Sequence, residues 1–173
     1  YARSVTEAGR PGLLALQYAQ SVTHANKARF EAAVRGDTSL DPAVYPDFAI
    51  RPAGDRPQYV AVIFNEPMRG NESVFGFDTA FGAERLDVLQ RARDSGRPMA
   101  SAPFKLVQGG ALPTGFVVRA PVYRHGAPVS TVAERRAAYV GQLSAVLRAA
   151  DLMTGLLPRA VLEDFRVTVR DLG

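Results

Sequence analysis

The sequence contains no cysteine and no tryptophan, and only two histidines. Without cysteine there is no disulfide framework, no thiolate zinc site and no cysteine nucleophile. A chain free of thiols is compatible with an oxidising compartment but does not fix one. His24 and His125 stand far apart without metal-ligand spacing, and His125 sits in a Gly-Pro turn. No apolar run approaches the roughly 20 residues that cross a bilayer, and no signal peptide is visible. The basic residues, mostly Arg, are scattered and sum to a net charge of only +4. No basic stripe forms, so nucleic acid is not an expected partner. There is no nucleophile elbow, no Walker loop and no dinucleotide glycine fingerprint. No catalytic residue, metal ligand or cofactor is expected, and the chain is read as a non-enzyme.

What is present is a globular composition. Of 173 residues, 47% are apolar, enough for one ordinary domain or two small lobes sharing a core. The chain opens at Tyr1-Ala2-Arg3 without Met and reads as a piece of a longer protein. Leu13 to Val22 follows a Pro-Gly turn and is read as a strand, from its polar alternation at Gln17 and Gln20. Thr23 to Arg35 has helical spacing and stops at Gly36; Asp37 to Pro46 reads as a loop. Phe48 to Arg51, Gln58 to Phe64 and Ser73 to Asp78 read as strands, with Gly76 marking a close backbone approach or a bulge. Ala83 to Ser95 is a helix with Leu86, Leu89 and Ala92 as its apolar stripe and Gly96 in the C-cap position.

Met99 to Gln108 and Gly115 to Tyr123 read as strands joined through Gly109-Gly110. Tyr139 to Leu147 is either a strand or a helix start. Ala149 to Leu157 is helical up to Pro158, and Asp164 to Leu172 alternates like a strand. Antiparallel strands joined by hairpins, with helices crossing one face, define an α+β fold of PAS-like arrangement.

An ordered series of segments resembles the CHASE family of extracellular sensor domains. The series comprises Phe30 to Arg35, Tyr45 to Ile50, Tyr59 to Phe64, Asn71 with Gly76-Phe77-Asp78, Arg91 to Gly96, Ser101 to Gln108, Gly115 to Val118, Pro121 to Arg124 and Thr131 to Arg136, leading to Asp151-Leu152-Met153. Each piece is weak alone; their order and spacing over residues 11 to 157 are specific. Such domains sit outside the membrane in bacterial histidine kinases, nucleotide cyclases and plant cytokinin receptors. The resemblance implies tandem PAS-like lobes with mostly antiparallel sheets. It places the end of a largely truncated stalk helix at 1–10, a membrane-distal ligand-binding lobe at 11–128 and part of a membrane-proximal lobe at 129–173. The early strand lacks the Trp that is frequent in the family, and Tyr18 takes that place.

The resemblance also supplies ligand-binding candidates. Asp78 matches by position an Asp that, in cytokinin-binding relatives, accepts hydrogen bonds from the ligand's adenine. Its plainer reading is an Asx turn, or a cap for the helix starting near Gly82. Arg119 stands where those receptors carry a small hydroxyl residue. Pointing inward, its guanidinium would hold a carboxylate or phosphate, or pair with Asp78; pointing outward, it is a surface residue. Alternation places Val117, Arg119 and Pro121 on one face. Ala100 matches a position whose backbone touches ligand, and Ser101 follows it. Asn71-Glu72-Ser73 fits a glycosylation sequon, but Asn71 reads as a turn residue bonded to its own loop.

The expected function is an extracytoplasmic sensor domain of a membrane-bound bacterial receptor, on the periplasmic or extracellular side of the inner membrane. Its parent would be a histidine kinase or a diguanylate cyclase. The expected partners are a small ligand, anionic, zwitterionic or adenine-like, and a second copy of the chain in a homodimer. The competing expectation is a ligand-free dimerisation or docking module of the same receptor, with its pocket filled and an apolar patch exposed.

Overall fold

The computed structural model describes residues 12–39, 45–105 and 114–156. Six strands form one sheet: β1 (Leu13–Thr23), β2 (Gln58–Glu66), β3 (Met99–Ala100), β4 (Phe104–Lys105), β5 (Thr114–Tyr123) and β6 (Tyr139–Arg148). Four helices accompany them: α1 (Lys27–Arg35), α2 (Ala83–Ser95), α3 (Val132–Ala138) and α4 (Ala149–Leu156). The strand order is β2-β1-β6-β5-β3, with β4 also pairing with β5, and every strand pairing is antiparallel. The fold is α+β, as expected.

The segment that sequence left ambiguous, Tyr139 to Leu147, is a strand. β6 pairs with β1 on one side and β5 on the other. β6, which follows residue 128 in the chain, is thus the middle strand of the order β2-β1-β6-β5-β3. Close packing of β1 on β6 requires Gly141, where a Cβ would meet the Ala19 carbonyl and the Tyr18 hydroxyl.

Helices cover both faces, not one as expected. Residues 60 and 62 of β2 point one way and 59 and 61 the other. Val60 and Val62 pack with Ala19 and with Leu89 of α2. Tyr59 and Ala61 pack with Ile50 and with Phe30 of α1. Burial of a side chain such as Leu89 contributes about 2 kcal/mol. α2 ends as the sequence indicates, with Gly96 left-handed at φ 73°. Leu89 and Ala92 are buried, but Leu86 at the first turn is 39% exposed and lies off the stripe.

Two expected strands are absent. Phe48 to Arg51 is irregular, and Ser73 to Asp78 holds a 3-10 turn at Glu72–Val74 followed by isolated bridges of Phe77 to Arg51 and Asp78 to Ala61. Gly76 has φ 84°, and its missing Cβ makes room for the Ala49 carbonyl, the close approach its position suggested. Residues 76–79 nonetheless bond to the outer edge of β2, through Gly76 N–H to the Val62 carbonyl and Thr79 N–H to the Val60 carbonyl. An otherwise open sheet edge is thereby covered. Met99 to Gln108 is broken into β3 and β4 as far as residue 105. The Gly109-Gly110 connection, the strand at 164–172 and the stalk tail at 1–10 lie outside the described residues.

The C-terminus of α2 is latched to α3. Asp94 accepts from Arg93 Nε at 2.7 Å and from Arg136 Nη2 at 2.6 Å. Arg135 Nε donates to the Asp94 carbonyl, and the Tyr123 hydroxyl donates to the Arg93 carbonyl. The hydrogen bonds from Arg136, then Arg93, hold the Asp94 carboxyl well below the usual carboxylate range. A lowered folded-state value means that the latch stabilises above about pH 4, where the unfolded carboxylate is ionised, and loses this contribution as pH falls toward the folded value. Asp94→Ala is expected to lower the urea midpoint at neutral pH and to match the parent protein increasingly as the medium is acidified. An equal gap at both pH values in urea titrations would show that the latch does not act through its charge.

Candidate functional site

The register of the sheet places five residues of five strands in one transverse row. Asn65 of β2 faces Gln17 of β1, Gln17 faces Ser144 of β6, Ser144 faces Arg119 of β5, and Arg119 faces Met99 of β3. Directly paired residues share a face. This face also carries Ala19 and Val62 and is covered by α2. The row is polar yet buried: Asn65 is 3%, Gln17 7%, Ser144 3% and Arg119 5% exposed. Beside it, Gln142 donates to Thr79 Oγ1 at 2.9 Å.

Arg119 points inward. Its Nη1 donates to the carbonyls of Thr79 at 3.2 Å and Arg85 at 3.3 Å, while its Nε has no partner. It makes no ion pair among the described residues. Burial, followed by repulsion from Arg85, pushes its pKa down to about 10, so it remains a cation at neutral pH. A buried cation without a carboxylate partner is costly to the fold.

Asp78 does not pair with Arg119. Its carboxylate, fully buried, accepts from Val60 N–H at 2.9 Å and Ala80 N–H at 3.1 Å on Oδ1, and from Arg56 Nε at 3.1 Å on Oδ2. The Ala80 bond is the Asx turn of the plainer reading, and the Val60 bond satisfies an outward amide of the edge strand β2. α2 instead starts at Gly82 without a side-chain cap. Both carboxylate oxygens of Asp78 thus accept from groups of the fold itself. Its guanidinium partner is itself fixed over the Tyr59 and Phe81 rings, at 4.7 and 5.2 Å.

The other candidates are drawn together around β5. Ser101 N–H donates to the Val117 carbonyl at 2.8 Å, and Val117 N–H donates to Ser101 Oγ at 3.0 Å. Ser101 thus extends the β3–β5 pairing by one side chain. Ala100 faces Val118 in that pairing and is exposed. Val117 shares the face of Arg119, two residues along β5. Asn71 is bonded to its own loop, its Nδ2 donating to the Pro67 carbonyl at 2.9 Å. His24 Nδ1 lies 3.2 Å from the Tyr59 hydroxyl, and no cluster of metal-ligating side chains occurs among the described residues.

Sequence reasoning missed Asn65, Gln17, Ser144 and Gln142. Each is a polar residue at an inward strand position, but which face was inward depended on long-range pairing. Two surface grooves lie elsewhere: one of about 300 Å³ beside His24, Asp55, Arg56 and Pro57, and one of about 380 Å³ lined by Arg51, Pro52, Ser73, Phe77, Phe81 and Arg85.

The described residues thus form an α+β domain with a buried cation in a polar row. The CHASE domain family model matches residues 1–173, and the chain belongs to this family of sensor domains. It is 30% identical over 158 residues to Histidine kinase 3 of Arabidopsis thaliana, a match covering 86% of this chain and 15% of that protein. It is 28% identical over 149 residues to Probable histidine kinase 4 of Oryza sativa subsp. japonica, covering 86% and 14%. It is 29% identical over 156 residues to Histidine kinase 2 of Arabidopsis thaliana, covering 86% and 13%. The chain thus spans about a seventh of the length of these relatives. No helix among the described residues is long and apolar enough to cross a membrane.

Removing Asp78 leaves an amide of Val60 and the charge of Arg56 without their acceptor. Asp78→Ala is therefore expected to cost about 2–4 kcal/mol of stability whether or not a ligand is present. Urea unfolding of the variant measures it; a loss below the error of the midpoint would show that Asp78 is not structural.

Proposed function

We propose that this domain is the extracytoplasmic part of a membrane-bound signalling receptor and binds a small anionic or zwitterionic molecule against the α2-covered face of its sheet. The observation that carries the reading is Arg119, a buried cation with an unpartnered Nε and no carboxylate beside it among the described residues. The adenine-type ligand suggested by Asp78 has less support, because that carboxylate is already engaged by Val60, Ala80 and Arg56. Asp78 is a positioning residue for β2 in this reading; Ser101 and Val117 position β5, and the exposed backbone of Ala100 lies at the site's rim.

The six strands form the membrane-distal lobe, of PAS-like type, and a proximal lobe and stalk helix carry the signal toward the membrane. Family membership supports this architecture, as does a single antiparallel sheet with helices on its faces. The ligand works by favouring one of two arrangements of lobes or subunits. A bacterial inner-membrane setting, with a kinase or diguanylate cyclase as output, rests on the sequence resemblance; the three relatives named above are plant histidine kinases.

The dimerisation or docking alternative is favoured by a separate observation. On the opposite face, Phe64, Tyr18, Leu143 and Ala120 form a second transverse row, in which Phe64 is 37% and Leu143 51% exposed. The two functions are compatible, since they use different faces.

A thermal-shift screen of the domain against organic acids, amino acids and nucleobases tests the ligand reading. A ligand that occupies the folded state raises Tm by mass action. Arg119→Met is expected to abolish the shift given by anionic hits while leaving unliganded stability equal or higher, because an unpaired buried charge is removed. Hits whose shifts survive in Arg119→Met would overturn the charge argument. A screen without hits, together with a dimer disrupted by Leu143→Glu in light scattering, would transfer the function to the apolar face.

A further inference from the structure

Among the described residues, three buried side-chain atoms lack a hydrogen-bond partner: Asn65 Oδ1, Arg119 Nε and the Tyr139 hydroxyl. Native proteins leave few such atoms, and each calls for a partner. All three belong to the face covered by α2. Asn65 and Arg119 stand in the same polar row, and Tyr139 packs on the cluster of Ala19, Val60, Val62 and Leu89. Their chemistry is complementary. Arg119 Nε can only donate, the Tyr139 hydroxyl can donate, and Asn65 Oδ1 can only accept. Arg119 and Tyr139 are close enough for each to influence the other's charge, and burial pushes the Tyr139 hydroxyl far above its ordinary range, so it keeps its proton. Asn65 stands three strand spacings from Arg119, about 14 Å along the row. Between them stand the buried polar residues Gln17 and Ser144.

We propose that the row is the floor of the ligand site and that it selects a bipolar molecule. An anionic group, a carboxylate by size, accepts from Arg119 Nε and the Tyr139 hydroxyl. A donor group, an ammonium or amide, reaches Asn65 Oδ1. Gln17 and Ser144 supply adaptable hydrogen bonds along the middle. Subtracting a hydrogen-bond length of about 3 Å at each end leaves about 8 Å between the ligand's polar ends. This inference rests on the sensor reading above and adds Asn65 and Tyr139 to it as selectivity-determining residues.

Three probes of one chain length separate the ideas: 6-aminohexanoate, hexanoate and hexylamine, titrated calorimetrically into the domain. The bipolar probe is expected to bind at least about ten-fold more tightly than either single-ended probe, a difference one charge-assisted hydrogen bond supplies. Asn65→Leu is expected to erase that preference while leaving hexanoate affinity unchanged. Tyr139→Phe is expected to weaken both carboxylates by a similar factor. Asn65→Asp, which keeps the side-chain shape and adds charge, is expected to tighten 6-aminohexanoate and not hexanoate, a response that a purely structural Asn65 would not give. Equal binding of hexanoate and 6-aminohexanoate would overturn the bipolar inference and leave the Arg119 anion reading standing. Binding of a carboxylate that is insensitive to Arg119→Met would overturn both. No binding of any probe at millimolar concentration, with Asn65→Leu raising Tm, would overturn the inference in favour of a floor that holds buried water alone.

Discussion

β6 lies between β1 and β5, and neither of those strands has its full hydrogen-bonding partner until β6 is in place. The residues joined are far apart in the chain: Gln17 meets Ser144, which meets Arg119. Loop closure over such separations costs entropy before any pairing returns it. The return comes from both faces together. On one, Val60, Val62, Ala19 and Leu89 close a core; on the other, Tyr59, Ala61, Ile50 and Phe30 do so. At Gly141 a Cβ would run into the Ala19 carbonyl, so a side chain there would push the central strand away from its neighbour. The remaining features depend on this insertion: the polar row exists because β6 supplies its middle residue, and α3 reaches α2 because β6 begins where α3 ends.

Polar residues at the middle of a sheet's covered face work against stability. Gln142 is satisfied by Thr79, and Asn65 Nδ2 reaches the Asn71 carbonyl at 3.4 Å. Arg119 donates from Nη1 to two neutral carbonyls, while its Nε has no partner. Replacement of such a residue by an apolar one of similar volume is often neutral or stabilising in other proteins. A row that retains the charge gives up stability, a local conflict of the kind found at functional or strained positions. Asp78 shows the opposite case. Its oxygens are placed on donors of the same fold unit, so an equally buried carboxylate stabilises the edge of β2.

Local pattern made part of this legible. The alternation of Gln17 and Gln20 in an apolar run gave β1. The apolar stripe with a terminal glycine gave α2 and its left-handed cap, and the β-branched run gave β2. Arg119 stood out because a long cation in the apolar strand GFVVRAP is locally inconsistent. What local pattern could not show was pairing. Ser73 to Asp78 has strand composition, but Gly76 must take a positive φ beside the Ala49 carbonyl, so the segment bonds to β2 without becoming a strand. Helices on both faces follow from which residues of β2 each helix meets, and Asn65 and Ser144 became neighbours of Arg119 only through register. Asp78 was found from a family position, yet its role was set by Arg56 and Val60, which no single-residue match conveys.

The same geometry says how an event at the polar row can be felt elsewhere. Arg119 ties β5 to α2 through the Arg85 carbonyl, near the start of the helix. The other end of α2 is tied through Asp94 to Arg136 of α3, which leads directly into β6. β6 returns to Arg119 through Ser144, closing a ring of contacts around the covered face. A molecule that accepted from Arg119 would compete with, or add to, one of the ties that hold α2. Any ligand shifts a conformational equilibrium only by its difference in affinity between the two states, not by how tightly it binds. The C-terminal end of α2 is held by an ion pair at Asp94, whereas Arg119 reaches its N-terminal end through a neutral carbonyl.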